Sequence, residues 1–395
     1  MESSPPAERK PGGYPFGLSS LREEHALTLH RGSIIVDLVA QHAGGSNIFG
    51  CYPDELLKDL QARTIGRSSW EVLTEAEYWP YEMSRQGKSH LIRDWYFESG
   101  MTCGTYGIGV HDGHNPVYLY LDRVNQIFSE LPWLRCVTTA REIREAKRDG
   151  VIALYAQCQP FVVPAPRDLK ALDVAYAQGL RSFMLTYNQM DNIGVGCTER
   201  VDAGLSRFGV SVVGHCNEIG MIVDVSHCGN LTTLDACRHS NKPVTANHTA
   251  ARGVYAHARG KTDDALKAIA DTGGVIGVVA VPAFLTRAKS SSIEHMLDHI
   301  DYISERVGWR HVALGTDWPM QASLDILKVS LDVEIANLGF RDEDALDHTV
   351  RLDGFEDSRD LLNITRGLVA RGYDDEQIKG ILGENALRVF AAVCG

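Results

Sequence analysis

Short apolar runs alternate with helical segments from about residue 33 to residue 316, and this alternation restricts the fold more than any other property of the chain. The runs are apolar throughout rather than alternating in polarity, as is typical of strands buried on both faces of a parallel sheet. The runs are Ser33–Leu38, Met101–Val110, Val151–Gln157, Ser182–Thr186, Met221–Val225, Pro243–Asn247, Gly274–Val279 and His311–Gly315. Helical segments such as Asn230–His239 and Asp263–Asp271 separate them. Strands joined by helical crossovers in this number predict an α/β fold of the (β/α)8 TIM-barrel type.

A doubly wound open sheet is the alternative architecture, but no Gly-rich phosphate-binding turn follows the first run, which disfavours its dinucleotide-binding form. A length of 395 residues is within the range of one barrel, and no linker marks a second domain. We expect residues 1–20 to form a flexible N-terminal segment and residues 21–395 a barrel domain with C-terminal helices. The last helix should begin at Asp374, with Gln377 completing a capping box.

Charge and composition exclude several classes of partner. A net charge of −12 and a pI near 5.7 argue against nucleic acid and anionic membranes, and no apolar run is long enough to span a bilayer. No segment near the start resembles a signal peptide. The nine cysteines are odd in number and lack paired spacing, which indicates reduced thiols and a cytoplasmic protein. The expected partner is a small-molecule substrate.

Polar residues stand where three of the apolar runs end. His227 and His248 end two successive runs, and Asp317 ends the last one. In a barrel these side chains would converge on the rim formed by the carboxyl ends of the strands. Two neutral imidazoles and a carboxylate are a common set of zinc ligands, so the pattern predicts a metal site.

These residues lie in segments that resemble the renal (membrane) dipeptidase family of the amidohydrolase superfamily. The resemblance extends from about Ile34 to Phe390 and is carried by Gly220–His227, Pro243–Thr249, Ala256–Asp264, Ala313–Asp317 and Arg371–Phe390. It implies a homodimeric barrel with two zinc ions that cleaves dipeptides and related amides. By this resemblance His227 and His248 bind one zinc, Asp317 binds the other and handles the proton of the attacking water, and Arg259 holds the substrate carboxylate.

The chain departs from the family pattern at the other metal positions. Val39 and Gln41 stand where the family has a first-strand His-x-Asp pair, Cys158 replaces a bridging glutamate, and Tyr187 replaces a histidine. A cysteine, two histidines and a nearby aspartate suit one zinc with an open position for water, which resembles the one-zinc site of the D-aminoacylases. We therefore expect about one zinc per chain, with Cys158 either its third ligand or a small buried hydrophobe.

The sequence favours metal-dependent hydrolysis of an amide bond in a small carboxylate-bearing substrate, such as a dipeptide or an N-acyl amino acid. Asp317 would transfer the proton, Tyr187 would donate to the developing oxyanion, and His111 is a further candidate for contact with the substrate. His257, close to Arg259, is expected at the surface. Two alternatives follow from the lost His-x-Asp pair: a lyase or hydratase on the same barrel in a specialised pathway, or a catalytically silent barrel that acts as a binding subunit.

Overall fold

A computed structural model describes residues 10–40, 85–87, 91–108, 117–159, 168–288, 290–317, 339–347 and 350–395. The strands are β1 Cys103–Ile108, β2 Leu134–Cys136, β3 Ile152–Cys158, β4 Leu180–Met184, β5 Ile222–Asp224, β6 Val244–Ala251, β7 Gly260–Lys261, β8 Val275–Val278 and β9 Val312–Leu314. The α-helices are Ser20–Gly32, Leu91–Ser99, Val117–Ser129, Ala140–Asp149, Lys170–Ala177, Arg207–Ile219, Asn230–His239, Asp263–Asp271, Pro282–Leu285, Ile293–Val307, Leu361–Ala370, Asp375–Lys379 and Asn385–Val393.

The main sheet is parallel and runs in the order β1-β3-β4-β5-β6-β8-β9. Val36 forms a parallel bridge to Cys103 of β1, and Asp37 forms one to Leu314 of β9. The Asp37 amide donates to the Cys103 carbonyl at 3.0 Å, and the Leu38 amide donates to the Leu314 carbonyl at 2.9 Å. This first short segment joins the two ends of the sheet, so the barrel closes with eight members and the predicted fold class is confirmed.

Strands β2 and β7 were not predicted. β2 pairs with the start of β3, and β7 pairs with the end of β6, both in parallel. They contain three and two residues, too few for an apolar pattern to be recognised in the sequence. Each therefore extends the barrel wall locally without changing the number of strands that close it.

Two glycines allow the backbones of β6, β8 and β9 to approach closely. A Cβ atom on Gly277 would lie 1.9 Å from the Asn247 carbonyl oxygen, and one on Gly315 would lie 1.7 Å from the same atom. Only glycine fits where one backbone comes this near another. The close contact brings the ends of β6 and β9 together, and with them His248 and Asp317.

The helices Asn230–His239 and Asp263–Asp271 have the bounds that the sequence predicts. The sequence of the second explains where it begins and which face it buries. Thr262 caps the helix Asp263–Asp271 by accepting from the Ala265 amide, and the acidic first turn suits the positive end of the helix dipole. Leu266 and Ile269 are buried against the barrel on one face of this helix.

The chain after residue 350 covers one side of the barrel with helices. Asp374 and Gln377 form the predicted capping box, with the Gln377 amide 2.9 Å from Asp374 Oδ1. The helix Asp375–Lys379 continues through a π-helical turn, Gly380–Glu384, into the helix Asn385–Val393. Its predicted apolar face packs into the core, with Ile378, Ile381, Leu382, Val389 and Phe390 all buried.

The segment before the first helix lies against the C-terminal part of the chain. The Gly12 amide donates to Asp360 Oδ1 at 2.8 Å, and Arg366 Nη1 donates to the carbonyls of Gly12 and Tyr14 at 2.7 Å each. The division of the chain at residue 20 stays a prediction. Across the described part of the chain, no helix combines the length and the apolar character that crossing a bilayer requires.

Candidate functional site

Two histidines and an aspartate lie together at the carboxyl ends of the strands. His227 follows β5, His248 lies in β6, and their Nε2 atoms are 3.0 Å apart. Asp317 follows β9, and its Oδ2 is 3.9 Å from His248 Nε2. The exposed fractions of the two histidines are 2% and 0%, so both rings are inside the protein. The structure therefore brings together the three residues that the strand-end pattern singled out.

Asp317 adopts an unusual backbone conformation. Its φ of 50° lies in the left-handed region, which few residues other than glycine enter, although aspartate does so more readily than most. Its amide donates to the Val39 carbonyl at 2.9 Å, and the preceding Thr316 donates to the buried Asp37 carboxylate through its amide and hydroxyl. These contacts hold the chain in the conformation that places Asp317 beside His248.

Burial keeps both imidazoles neutral. It lowers the pKa of His227 and of His248 well below the usual range, and the positive charge of Arg259 lowers both pKa values further. A neutral imidazole offers a lone pair, and two nitrogens that share a tetrahedral zinc ion lie about 3.3 Å apart for Zn–N bonds of about 2.0–2.1 Å. The 3.0 Å separation is close to this value, so the two imidazoles are the residues of the site that could hold a shared cation, with the Asp317 carboxylate 3.9 Å from His248 Nε2.

Two residues hold the His227 ring in place. The sequence argument missed Asn188, and it assigned Tyr187 a different role, that of an oxyanion donor. Asn188 is buried, and its Oδ1 lies 2.7 Å from His227 Nδ1. Tyr187 stacks on the same imidazole, with ring centroids 3.7 Å apart and planes inclined by 18°. The hydrogen bond and the stacking contact together restrict both the tilt and the rotation of the His227 ring.

Arg259 is the largest fully buried side chain of the described structure, with an exposed fraction of 1%. Its Nη1 donates to the Ser226 carbonyl at 2.6 Å, and its Nη2 donates to the His248 carbonyl at 3.0 Å. The Nε–H has no hydrogen-bond partner within the described residues. The guanidinium therefore ties the backbone beside His227 to that of His248, in addition to any contact with a substrate.

Lys261 is a second buried cation near the histidines, and the sequence argument did not find it. Its Nζ donates to the carbonyls of Val225 and Cys228 at 2.6 and 2.7 Å and to Thr233 Oγ1 at 3.1 Å. Burial lowers the pKa of this ammonium group. The contacts on either side of His227 hold the loop that carries this histidine.

Asp224, at the end of β5, accepts hydrogen bonds that hold the same loop. Its Oδ1 accepts from the Ser226 amide and hydroxyl at 2.9 and 2.5 Å and from the Asn247 amide at 2.9 Å. Ser226 Oγ in turn accepts from the His248 amide at 3.0 Å. A carboxylate inside an otherwise apolar strand, Ile222–Asp224, was the signal in the sequence that could have identified this network.

Aromatic rings cover the histidine pair. Phe340 packs edge-on against both His227 and Tyr187, with centroids 6.2 Å apart in each case, and stacks on Phe284 at 6.1 Å. The prediction that His257 lies at the surface is wrong, because its exposed fraction is 4%. Its ring packs on Phe284, and its Nε2 lies 3.1 Å from the Asp344 carbonyl oxygen. Both are contacts with distant segments, which local sequence does not reveal.

Two further predicted site residues, Cys158 and His111, do not form part of the group described above. Cys158 ends β3, where it is buried opposite Phe183 of β4, and burial raises the pKa of its thiol. Within the described residues, no three histidine, cysteine, aspartate or glutamate side chains are arranged as a complete metal site. His111 and Gln41 lie outside the described residues, whereas Val39 is buried.

The chain matches the profile of a known protein family and a curated relative. The profile of the family described as membrane dipeptidase (Peptidase family M19) matches residues 112–330 and 343–394. The dipeptidase verJ of Clonostachys rogersoniana is 28% identical over 260 residues, which are 65% of this chain and 59% of that protein. The chain thus spans about three fifths of the length of this curated relative.

Solved structures show the same fold. An amidohydrolase from Pseudomonas aeruginosa superposes with a TM-score of 0.70 and 24% identity, covering 94% of this chain and 99% of the other. A metallopeptidase from Rhodobacter sphaeroides, solved with a phosphinate mimic of the dipeptide L-Ala-D-Ala, has a TM-score of 0.66 and 18% identity over 91% and 99% of the two chains. Because the family profile covers well over half of the sequence, the chain belongs to the membrane dipeptidase family, Peptidase family M19.

Proposed function

We propose that the protein hydrolyses the amide bond of a small carboxylate-bearing substrate, of the dipeptide or N-acyl amino acid type, with the help of a bound metal. Membership of a metallopeptidase family implies a metal cofactor. The single observation that carries the proposal is the buried pair of neutral imidazoles with facing Nε2 atoms and Asp317 beside them. We further propose that the metal is zinc, at about one ion per chain.

His227 and His248 would hold this ion, with the Asp317 carboxylate beside them and Cys158 as the proposed third ligand. When bound, zinc supplies Lewis acidity for the substrate carbonyl and lowers the pKa of a water molecule. Asp317 would take the proton of the attacking water and return it to the leaving nitrogen. Tyr187 donates a hydrogen bond to the developing oxyanion, and the Arg259 guanidinium attracts the substrate carboxylate, with contact from His111.

The test combines metal analysis with a substrate screen. Purified protein should contain about one zinc per chain and hydrolyse members of a panel of dipeptides and N-acyl amino acids of both stereochemistries. His248→Ala should lose the zinc and lower kcat/KM by more than about 100-fold. Loss of a residue that only supports a metal ligand costs about 10- to 100-fold, so the loss of a ligand itself should exceed this range. No zinc and no hydrolysis after zinc is supplied would overturn the hydrolase in favour of a silent barrel or a metal-free lyase.

The third ligand is tested with two buried cysteines, Cys158 as the candidate and Cys228 as the control. Cys158→Ser should lose zinc, whereas Cys228→Ser should retain it, because Cys228 Sγ lies 3.9 Å from the Thr186 carbonyl as a buried hydrogen-bond donor. Retention of zinc in both variants would remove Cys158 from the ligand set. Two zinc ions per wild-type chain would overturn the one-metal proposal.

We also propose a homodimer in the cytoplasm that acts on a small molecule rather than on nucleic acid or a membrane. The eight cysteines of the described residues have free thiols, as is typical of cytoplasmic proteins. The homodimer is proposed from the family resemblance, and the absence of nucleic-acid or membrane partners from the net charge of −12.

A further inference from the structure

The side chain of Asn188 lies against the Nδ1 atom of His227. The asparagine is fully buried, and its Oδ1 lies 2.7 Å from that nitrogen. The Cys197 thiol points at the same oxygen, with Sγ 3.6 Å away. Because a thiol donates its hydrogen, this contact favours the orientation of the amide in which Oδ1, and not Nδ2, faces Cys197 and the imidazole.

This contact determines which nitrogen of His227 carries the proton. An amide oxygen can only accept, so His227 Nδ1 must carry the hydrogen and donate it to Asn188. In a neutral imidazole the other nitrogen then has a lone pair, and Nε2 is the atom that faces His248. Asn188 therefore sets His227 in the tautomer that can bind a metal through Nε2.

His248 has no such partner. Its Nδ1 is buried without a hydrogen-bond partner within the described residues. Because His227 Nε2 presents a lone pair, the hydrogen between the two rings must lie on His248 Nε2 in the metal-free protein. Metal binding through Nε2 therefore requires a change of tautomer at His248 and none at His227. Of the two ligands, only His227 is already in the tautomer that binds a metal.

We propose that Asn188 is a positioning residue for metal binding, which holds His227 as a ready ligand by accepting its Nδ1 hydrogen. The inference rests on the proposed function and adds to it a residue that supports the metal without touching it. Tyr187 assists by stacking on the His227 ring at 3.7 Å, which limits rotation out of the plane that the hydrogen bond selects. Outer partners of this kind typically contribute 10–100-fold to metal affinity.

The first experiment measures the zinc dissociation constant by competition with a chelator. Asn188→Leu, similar in volume but without an acceptor, should bind zinc about 10- to 100-fold more weakly than the wild type. Asn188→Asp should bind at least as tightly as the wild type, because a carboxylate accepts the same hydrogen. The matched control is Asn217→Leu, since Asn217 is also buried but donates to the Val213 carbonyl, and its zinc affinity should not change.

The second experiment reads the tautomer directly by ¹⁵N NMR of the zinc-free protein. Wild-type His227 should be a single Nδ1–H tautomer, and Asn188→Leu should show a mixture of both. If a folded Asn188→Leu variant keeps the wild-type zinc affinity and the single tautomer, the role of Asn188 is overturned. If the wild type itself binds no zinc, the proposed function fails first, and the two failures are thereby distinguished.

Discussion

Arg259 connects the two histidine-bearing strand ends through its guanidinium. One Nη group donates to the Ser226 carbonyl and the other to the His248 carbonyl, while Phe284 packs 5.3 Å from the guanidinium carbon. A carbonyl buried without a donor costs about 1–3 kcal/mol. The family resemblance assigns this arginine to the substrate carboxylate, but the contacts give it a structural role as well.

Arg259→Met tests whether both roles are present. Loss of the donors to two carbonyls, at about 1–3 kcal/mol each, should lower the free energy of unfolding by about 2–6 kcal/mol. It should also weaken zinc binding, because the backbone of His248 is no longer held. Thermal melting and chelator competition measure the two effects, and Arg252→Met, at an exposed arginine of the same segment, is the control. An increase in KM with unchanged melting temperature and zinc affinity would leave only the contact with substrate.

At the scale of elements, β6 lies very close to β8 and to the end of β9 near the site. The Asn247 carbonyl occupies the space that a side chain on Gly277 or on Gly315 would need. Backbone atoms of packed strands cannot move aside as the end of a flexible side chain can. The strand ends that carry His248 and Asp317 therefore depend on glycine at both positions.

Gly277→Ala should destabilise the fold by about 3 kcal/mol or more, since the new Cβ would overlap the Asn247 carbonyl. Gly214→Ala is the matched control. Gly214 lies in the helix Arg207–Ile219 with no atom within 4 Å of an added Cβ, so this change should raise stability by about 0.5–1 kcal/mol. Urea unfolding of both variants measures the difference, and equal effects would contradict the close approach of the strands.

At the scale of the whole molecule, buried imidazoles link stability to pH. Burial lowers the pKa of His30 and of His299 to about 4. His299 joins β6 to two helical segments by accepting from the Ala251 amide at 2.9 Å and donating to the Leu285 carbonyl at 3.0 Å. Each histidine takes up a proton more readily in the unfolded chain, so the stability present above about pH 6.5 is lost as the pH falls towards 4.

Between pH 7 and pH 5, each of these two histidines should remove about 2 kcal/mol of stability. His299→Gln cannot titrate, so its free energy of unfolding should fall by about 2 kcal/mol less than that of the wild type over this interval. Urea unfolding at the two pH values measures the change. An equal fall in both proteins would show that His299 is not a source of the acid sensitivity.

Asp37 acts in the opposite direction and provides the control. Burial raises the pKa of this carboxyl to about 6, so the folded protein takes up a proton between pH 7 and pH 5 and gains stability relative to the unfolded chain. Asp37→Asn should remove this gain and increase the loss of stability on acidification. A smaller loss in this variant would contradict the sign expected from a buried carboxylate.

Local pattern determined the architecture. All eight apolar runs correspond to members of the barrel, and the helices Asn230–His239 and Asp263–Asp271 have the predicted bounds. Strand burial, helical periodicity and capping by Thr262 or Asp374 depend on residues close in sequence, so the sequence alone carries them. The positions of His227 and Asp317 after their strands followed from the same pattern, because the carboxyl ends of barrel strands meet at one rim. For His248 the pattern placed the end of the strand too early, since β6 continues to Ala251.

Tertiary structure decided how the site is held together. The contacts of Asn188, Arg259 and Lys261 with the histidine loops join segments that are 11–39 residues apart, and no local pattern specifies which nitrogen or carbonyl each group meets. The same holds for His257, which is buried and packs on the ring of Phe284 from another part of the chain. Hydrogen bonds in a packed interior depend on distances and directions that exist only once the barrel has closed.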